Sequence, residues 1–201
     1  MNFVAPVPSR NGKKVFAVGM QPRGELVRYD RQSRQFVPYL SGISADSVSF
    51  SKDGKWVAYV TYPEGNLWRS KVDGTEKLQL TFGSSIALLP RWSPDDKQIA
   101  FPAAALGKPW TTYLISANGS EAKPLMSDIS DVNWSPDGSS IAFHTGYTSG
   151  NPEERSIHVR NLKTGEESGY AGIEGTLFSA LVSRRSLHIG GTDRTREFGA
   201  I

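Results

Sequence analysis

Three aspartates recur at intervals of 42 residues in this 201-residue chain, and carboxylates are ligands that hard metal ions prefer. They are Asp53, Asp95 and Asp137, and each follows a serine by two positions. Aspartates in such a setting form tight turns, because their short side chains bond to the neighbouring backbone. Equivalent turns of a repeat lie on separate units, too far apart to share one ion. We therefore interpret the three aspartates as turn residues and predict no metal site.

Acid–base or nucleophilic chemistry would need histidine, serine or cysteine residues in recognisable patterns. Of the three histidines, His144 follows a predicted strand, His158 lies inside one, and His188 lies in an atypical C-terminal segment. No ligand spacing or acid–base pairing connects them. The Gly-x-Ser-x-Gly pattern of a nucleophile elbow is absent, and the chain has no cysteine. The sequence therefore predicts no catalytic residues and no cofactor, and a protein that is not an enzyme.

The aspartates belong to a longer repeated segment that covers residues 49–59, 91–101 and 133–143. Each copy contains an aromatic residue, a serine, a turn, and then alternating apolar residues. A period of roughly 40 to 45 residues with several short strands per unit is typical of a β-propeller blade. We therefore predict an all-β fold, a partial β-propeller.

Each copy encodes a hairpin whose turn chemistry can be read directly. Pro94 sets the backbone angle needed at the second position of a type I turn. Two positions later the backbone favours positive φ, which Gly54 and Gly138 adopt freely and Asp96 only tolerates. We expect Asp96 to be the strained turn of the three. Asp-Gly and Asn-Gly pairs later in the copies indicate a second hairpin, so each blade should contain four antiparallel strands.

The repeat also extends towards the N-terminus, because residues 9–19 are a weaker copy of residues 51–61. We assign residues 1–179 to a propeller segment of about four blades, the first one incomplete. Complete rings of such repeats contain up to about eight blades, so we expect an incomplete ring. Its unpaired edges and open apolar faces predict self-association of the chain.

The remaining residues, 180–201, form a tail without the motif that is due there. With a suitable choice of codons, reading residues 180–188 one base later restores a segment Arg-Trp-Ser-Pro-Asp-Gly-Arg-Tyr-Ile. This match indicates a frameshift near Ser179, which would leave the tail disordered; the alternative is an ordinary divergent extension. A frameshift requires a tryptophan codon across Leu181 and Val182 in the other frame, which gene sequencing can check.

Charge and hydropathy argue against nucleic-acid binding by this segment and against a membrane span within it. The formal charge is +3, of which the tail supplies +2 through four arginines against one aspartate and one glutamate. The propeller segment is thus nearly balanced and lacks the clustered positive charge that nucleic-acid binding requires. No stretch of about 18 apolar residues occurs, so we expect no membrane span and no secretion signal in this chain.

The residues directly before the motif aromatics differ in chemistry although the repeat around them is regular. They are Ser49, Arg91 and Asn133, and on the innermost strands they would lie near the central channel, where propellers commonly bind partners. The alternative is simple drift of surface residues. For the tryptophans we expect packing between blades rather than a recognition surface. Four are assigned in this way: Trp56, Trp68, Trp92 and Trp134.

The unit aromatic-Ser-Pro-Asp-Gly-x-x-Ile-Ala-Phe resembles the TolB-type, WD-like propeller repeat. Residues 134–143 match it fully, residues 92–101 depart at Asp96, and residues 50–59 have Lys52 in place of proline. Residues 21–30 and 68–74 also look like the C-terminal sensor propellers of bacterial winged-helix regulators and of some Ser/Thr kinases. The resemblance implies a rigid platform for a protein or a small ligand, periplasmic or attached to a membrane-anchored signalling protein.

Two function hypotheses follow. The first is a non-catalytic interaction or sensor module within a larger bacterial signalling or TolB-like protein. The second is the substrate-gating propeller of a prolyl-oligopeptidase-like serine peptidase whose hydrolase domain is encoded elsewhere. Gene context separates them, since a winged-helix, kinase or membrane segment supports the first and a downstream nucleophile elbow supports the second.

Overall fold

The computed structural model describes residues 2–127, 130–145, 156–171, 181–183 and 186–188. Within these ranges every regular element is a β-strand, except one short 3-10 turn at Leu40–Gly42. All strand pairs there are antiparallel, and no sheet closes on itself. The predicted all-β fold class is confirmed.

The first repeat unit consists of two separate hairpins. β1 (Asn2–Pro8) pairs with β2 (Val15–Met20), and β3 (Val27–Asp30) pairs with β4 (Gln35–Pro38). These two pairs form two-stranded sheets of their own and do not join into one blade.

Each of the next three units contains a sheet in which four strands follow one another in chain order. The second unit contains β5 (Ala45–Phe50), β6 (Trp56–Thr61), β7 (Leu67–Lys71) and β8 (Leu78–Gln79). The third contains β9 (Ile86–Ala87), β10 (Arg91–Trp92), β11 (Gln98–Ala104), β12 (Thr111–Ser116) and β13 (Lys123–Ser127), with β9 paired to β11. The fourth contains β14 (Ser130–Trp134), β15 (Ser140–Thr145), β16 (Ser156–Asn161) and β17 (Glu167–Ala171).

A hydrogen-bond network closes the turn between the first two strands of each unit. In the second unit the Ser51 hydroxyl donates to Asp53 Oδ1 over 2.7 Å and accepts from the backbone N–H of Trp56 over 2.9 Å. Asp53 Oδ1 also accepts from the backbone N–H of Lys55 over 3.0 Å. The same bonds recur around Ser93 and around Ser135, so the interpretation of the three aspartates as turn residues is confirmed.

The weaker first copy has the same turn with an amide in place of the carboxylate. Ser9 donates to Asn11 Oδ1 over 2.9 Å, and the backbone N–H of Lys14 donates to the Ser9 hydroxyl over 3.0 Å. Residues 9–14 thus adopt the turn of the repeat although their sequence match is weak.

Apolar clusters fill the contacts between consecutive units. Leu40 of the first unit packs with Tyr59 of the second, Val60 with Ile99 of the third, and Ala100 with Ile141 of the fourth. Because the two faces of β6 belong to different clusters, the second unit is enclosed on both sides. Four tryptophans join these clusters, as predicted: Trp56, Trp68, Trp92 and Trp134.

The motif aromatics stand at equivalent positions, each in cross-strand register with the first buried residue of the following strand. The indole N–H of Trp92 donates to the backbone oxygen of Ser49, and that of Trp134 donates to the oxygen of Arg91, both over 3.1 Å. Phe50 has no such donor and is 52% exposed. Phe50 thus differs from the two tryptophans; its ring lies 6.3 Å from that of Tyr39 of the first unit.

Little of the C-terminal tail falls within the described residues. β18 (Leu181–Ser183) and β19 (Ser186–His188) pair with each other, and the rest of residues 180–201 lies outside the described part of the chain. The predicted frameshift is not tested by this pairing. Among the described residues no helix is long and apolar enough to cross a membrane.

Candidate functional site

Ser49, Arg91 and Asn133 occupy equivalent positions on the innermost strands of three consecutive units. Each pairs with an alanine of the neighbouring strand in the same register, and all three line one cavity of about 330 Å³. The structure thus brings together the three residues that the sequence singled out. Whether they bind a partner remains a prediction. The other residues of this cavity are Phe50, Lys52, Trp92, Ser93, Pro94, Trp134 and Pro136.

The Arg91 guanidinium is the polar centre of this cavity. Its Nε donates to Asn133 Oδ1 over 3.3 Å, its Nη1 donates to the Pro90 carbonyl oxygen over 3.2 Å, and its Nη2 lies 3.7 Å from Asp131 Oδ1. The Arg91 side chain remains 31% exposed. A guanidinium carries five N–H donors, more than these three contacts use, so it can also bind a carboxylate or a carbonyl oxygen of a partner.

In the turns that border this cavity, hydrogen bonds stabilise the ionised form of each turn aspartate. The Ser135 hydroxyl and the backbone N–H and hydroxyl of Ser139 hold the pKa of Asp137 at about 2. The Ser93 hydroxyl likewise lowers the pKa of Asp95, and the backbone N–H of Lys55 lowers that of Asp53. Each carboxylate is committed to its own turn as a hydrogen-bond acceptor.

A second cavity, which sequence reasoning missed, lies at the opposite end of β5. It measures about 500 Å³ and borders Ser44, at the start of β5, whereas Ser49 and the first cavity lie at its end. Burial raises the pKa of Tyr59 at its base. Its lining combines aromatic and charged side chains, and most of them lie outside the repeated motif, so no periodicity indicated this cavity. They are Arg23, Tyr62, Glu64, Trp68 and Lys77, together with Tyr59 from the motif itself.

The structure also connects a histidine that the sequence left without a partner. His158 Nε2 lies 2.7 Å from Ser156 Oγ, and His158 Nδ1 lies 2.7 Å from Glu167 Oε1. This contact does not test the prediction that the chain has no catalytic residues. The spacing Ser-x-His within a strand was an available signal, because residues two apart share a face. The contribution of Glu167 depends on the register between β16 and β17 and could not be read from the spacing.

Comparison with known sequences finds relatives for parts of the chain. No family model matches it. It is 30% identical over 110 residues to the "Uncharacterized peptidase YuxL" of Bacillus subtilis. The aligned region covers 49% of this chain and 17% of that protein. It is 36% identical over 58 residues to the "Tol-Pal system protein TolB" of Syntrophus aciditrophicus, covering 29% and 13%. The chain spans less than a fifth of the length of either curated relative.

Comparison with solved structures supports the propeller fold over most of the chain. The TolB structure of Acinetobacter baumannii superposes with a TM-score of 0.56 at 19% identity, covering 85% of this chain and 43% of that one. An oligogalacturonate lyase in complex with manganese superposes with a TM-score of 0.58 at 17% identity, covering 80% and 45%. At these identities the likeness shows the fold alone. The chain has the architecture of a partial β-propeller.

Proposed function

We propose that the chain is a non-catalytic β-propeller interaction module that binds a carboxylate-bearing partner segment through the cavity around Arg91. The observation that carries this proposal is the convergence of three non-repeating polar residues in one cavity beside a half-buried guanidinium. Apart from Phe50 and Lys52, the cavity residues around them follow the repeat, so these positions distinguish one blade from the next. Asn133 and Asp131 position the guanidinium, and Ser49 adds a hydroxyl to the same cavity.

The sensor version of this proposal places the module in a larger bacterial signalling protein. It is supported by the resemblance of residues 21–30 and 68–74 to sensor propellers and by the partial similarity to TolB. In that setting the propeller faces the periplasm, and the signalling or DNA-binding part is encoded in another segment.

A substrate-gating propeller of a serine peptidase is the second candidate. The similarity to a protein named as a peptidase, 30% identical over 110 residues, favours it. In the surrounding reading frames, a downstream Gly-x-Ser-x-Gly segment supports this candidate, and a winged-helix, kinase or membrane segment supports the sensor.

The binding proposal can be tested by NMR with N-acetyl-aspartate as the probe. In ¹H–¹⁵N spectra of the whole chain we expect its addition to shift the Arg91 Nε–H signal and the indole signals of Trp92 and Trp134. N-acetyl-asparagine amide, in which neutral amides replace both carboxylates, should shift them far less.

Arg91→Gln should abolish the shifts of the two indoles, whereas Arg28→Gln, a matched change on the exposed strand β3, should leave them unchanged. Equal shifts with both probes, or unchanged indole shifts in Arg91→Gln, would contradict the proposal.

A further inference from the structure

Ser156, His158 and Glu167 form a continuous hydrogen-bonded chain on two adjacent strands of the fourth unit. Ser156 and His158 lie two residues apart on β16 and so project from the same face. Glu167 begins β17 opposite Arg160, diagonally across from His158 on that face. The two links, Ser156 Oγ to Nε2 and Nδ1 to Glu167 Oε1, each measure 2.7 Å. Serine, imidazole and carboxylate in this order are the arrangement that activates a serine nucleophile.

The hydrogen-bond partners assign the protons along this chain. An ionised carboxylate only accepts, so the proton between the imidazole and Glu167 belongs to Nδ1. In the neutral ring Nε2 then carries a lone pair, which can accept the hydrogen of the Ser156 hydroxyl 2.7 Å away. This is the tautomer in which His158 can remove the hydroxyl proton.

The imidazole is also held in place by its neighbours across the sheet. Its ring is stacked on Phe143, with the centroids 5.4 Å apart and the planes at 13°. On the other side, Gly169 is its register partner, and a Cβ at residue 169 would lie 3.2 Å from His158 Cε1. Glycine at this position leaves room for the ring. The ring orientation is therefore fixed by an aromatic contact and a close backbone approach, in addition to the two hydrogen bonds.

From this geometry we infer that Ser156 is an activated nucleophile that takes up one acyl or phosphonyl group from an activated donor. Ser156 Oγ forms the new bond to the carbonyl carbon or phosphorus while its proton passes to His158 Nε2 and the leaving group departs with its electron pair. Glu167 stabilises the resulting imidazolium, which then gives the proton to the leaving group or to solvent. Ser156 is partly buried, and the side chains of His158 and Glu167 are 23% and 39% exposed.

This inference goes beyond the binding role proposed above and ends at the modified serine. The acceptor is the protein itself, and the donors are esters or thioesters with good leaving groups. His158 is the general base, and Glu167 is a positioning residue that acts through the imidazole.

The test uses the whole chain and two probes, a biotinylated fluorophosphonate and p-nitrophenyl acetate. We expect intact-mass spectrometry to show one phosphonyl adduct per chain, which peptide mapping places on Ser156. With p-nitrophenyl acetate we expect a burst of about one equivalent of p-nitrophenolate per chain. Ser156→Ala should abolish both signals, and His158→Gln should slow them on the order of 100-fold.

Two matched controls separate activation from mere exposure. Ser168→Ala removes an exposed hydroxyl from β17 and should not alter the labelling. Glu167→Gln should slow labelling, whereas Glu166→Gln, which changes the neighbouring carboxylate that bonds to Thr164 Oγ1, should not. Circular dichroism and thermal melting of each variant identify any that fail to fold.

A readout on the unmodified chain keeps the inference testable even if a variant does not fold. In ¹⁵N-labelled protein the His158 imidazole should show a protonated Nδ1 and an unprotonated Nε2, and Glu167→Gln should shift it towards the other tautomer. Labelling spread over several serines, equal rates in His158→Gln and the parent, or a protonated Nε2 in the neutral ring would each overturn the assignment.

Discussion

The carboxylate of Asp96 accepts a hydrogen bond from the backbone N–H of Lys52 over 2.6 Å, across the boundary between two repeat units. Its second oxygen accepts from the backbone N–H of Asp53 over 3.0 Å. Asp96 and Lys52 are also the two places where copies depart from the Pro-Asp-Gly turn. A proline at residue 52 would have no N–H, and a glycine at residue 96 would have no carboxylate. The two departures therefore complement each other.

Asp96→Gly should destabilise the chain although it relieves backbone strain. Asp96 has φ of +58°, so glycine recovers about 1 kcal/mol there. The substitution also removes two charge-assisted hydrogen bonds, each contributing about 1.5–3 kcal/mol. The lost bonds outweigh the recovered strain, so we expect the free energy of unfolding to fall by about 2–5 kcal/mol, measured by denaturant titration.

Lys52→Pro tests the same contact from its other side. If the two departures act as a pair, Lys52→Pro combined with Asp96→Gly should lower the free energy of unfolding by less than the sum of the two single effects. The difference, which is the coupling energy, should be at least about 0.5 kcal/mol. Strictly additive effects would show that the contact contributes nothing of its own.

Acid should destabilise the folded chain below about pH 4, because the turn aspartates are bound in their ionised form. Asp137 has a pKa of about 2 against an ordinary value of 3.8, because the Ser135 hydroxyl and both donors of Ser139 bond to its ionised form. A group whose pKa is lowered by folding stabilises the folded state above pH 3.8 and loses that contribution as the pH falls towards 2. We expect the denaturant midpoint to decline over this window.

Asp137→Asn is the matched control for this decline. An amide already holds the equivalent turn at Asn11, so the variant should fold at neutral pH. Part of the acid sensitivity should disappear with the carboxylate. An unchanged pH profile in Asp137→Asn would show that Asp137 is not one of the groups responsible.

The repeated parts of the fold were predictable because their determinants are local. Turn chemistry and alternating apolar residues are read within one copy, and the 42-residue spacing places Ser49, Arg91 and Asn133 at equivalent positions. Because consecutive units place equivalent residues at the same point of their innermost strands, these three residues meet in one cavity.

The remaining features depend on neighbours that the spacing does not reveal. Asp96 is the strained turn residue that the sequence predicted, with φ of +58°, but the hydrogen bonds that it accepts from the turn of the preceding unit could not be read from the spacing. Glu167 reaches His158 only through strand register. Phe50 is exposed because its own unit follows the atypical first unit rather than a regular blade.

Trp134→Phe should measure the indole bond between units. The substitution keeps an aromatic ring but removes the 3.1 Å bond to the Arg91 carbonyl oxygen, and it should lower the free energy of unfolding by about 1 kcal/mol or more. Phe50→Leu is the control at the equivalent position, where there is no indole bond to lose, and it should have a smaller effect. A larger loss in Phe50→Leu would show that ring packing, not the indole bond, dominates at these positions.

The β1–β2 hairpin should drive self-association of the isolated chain. Phe3, Val15 and Phe16 are between 61% and 69% exposed, whereas Val57, the counterpart of Val15 in the second unit, is fully buried. Contiguous exposed apolar residues on an incompletely covered sheet favour contact with another chain.

We expect light scattering to show a mass that rises with concentration, and the double change Phe3→Ser and Phe16→Ser to lower it. Leu106→Ser is the matched control, because Leu106 is fully exposed on a loop outside the hairpin and its removal should not alter the association. A monodisperse monomer across the concentration range, or an equal effect of Leu106→Ser, would show that the hairpin is not the contact surface. Because association through β1 and β2 leaves the inner-strand cavity open, the N-acetyl-aspartate shifts should persist in the doubly substituted chain.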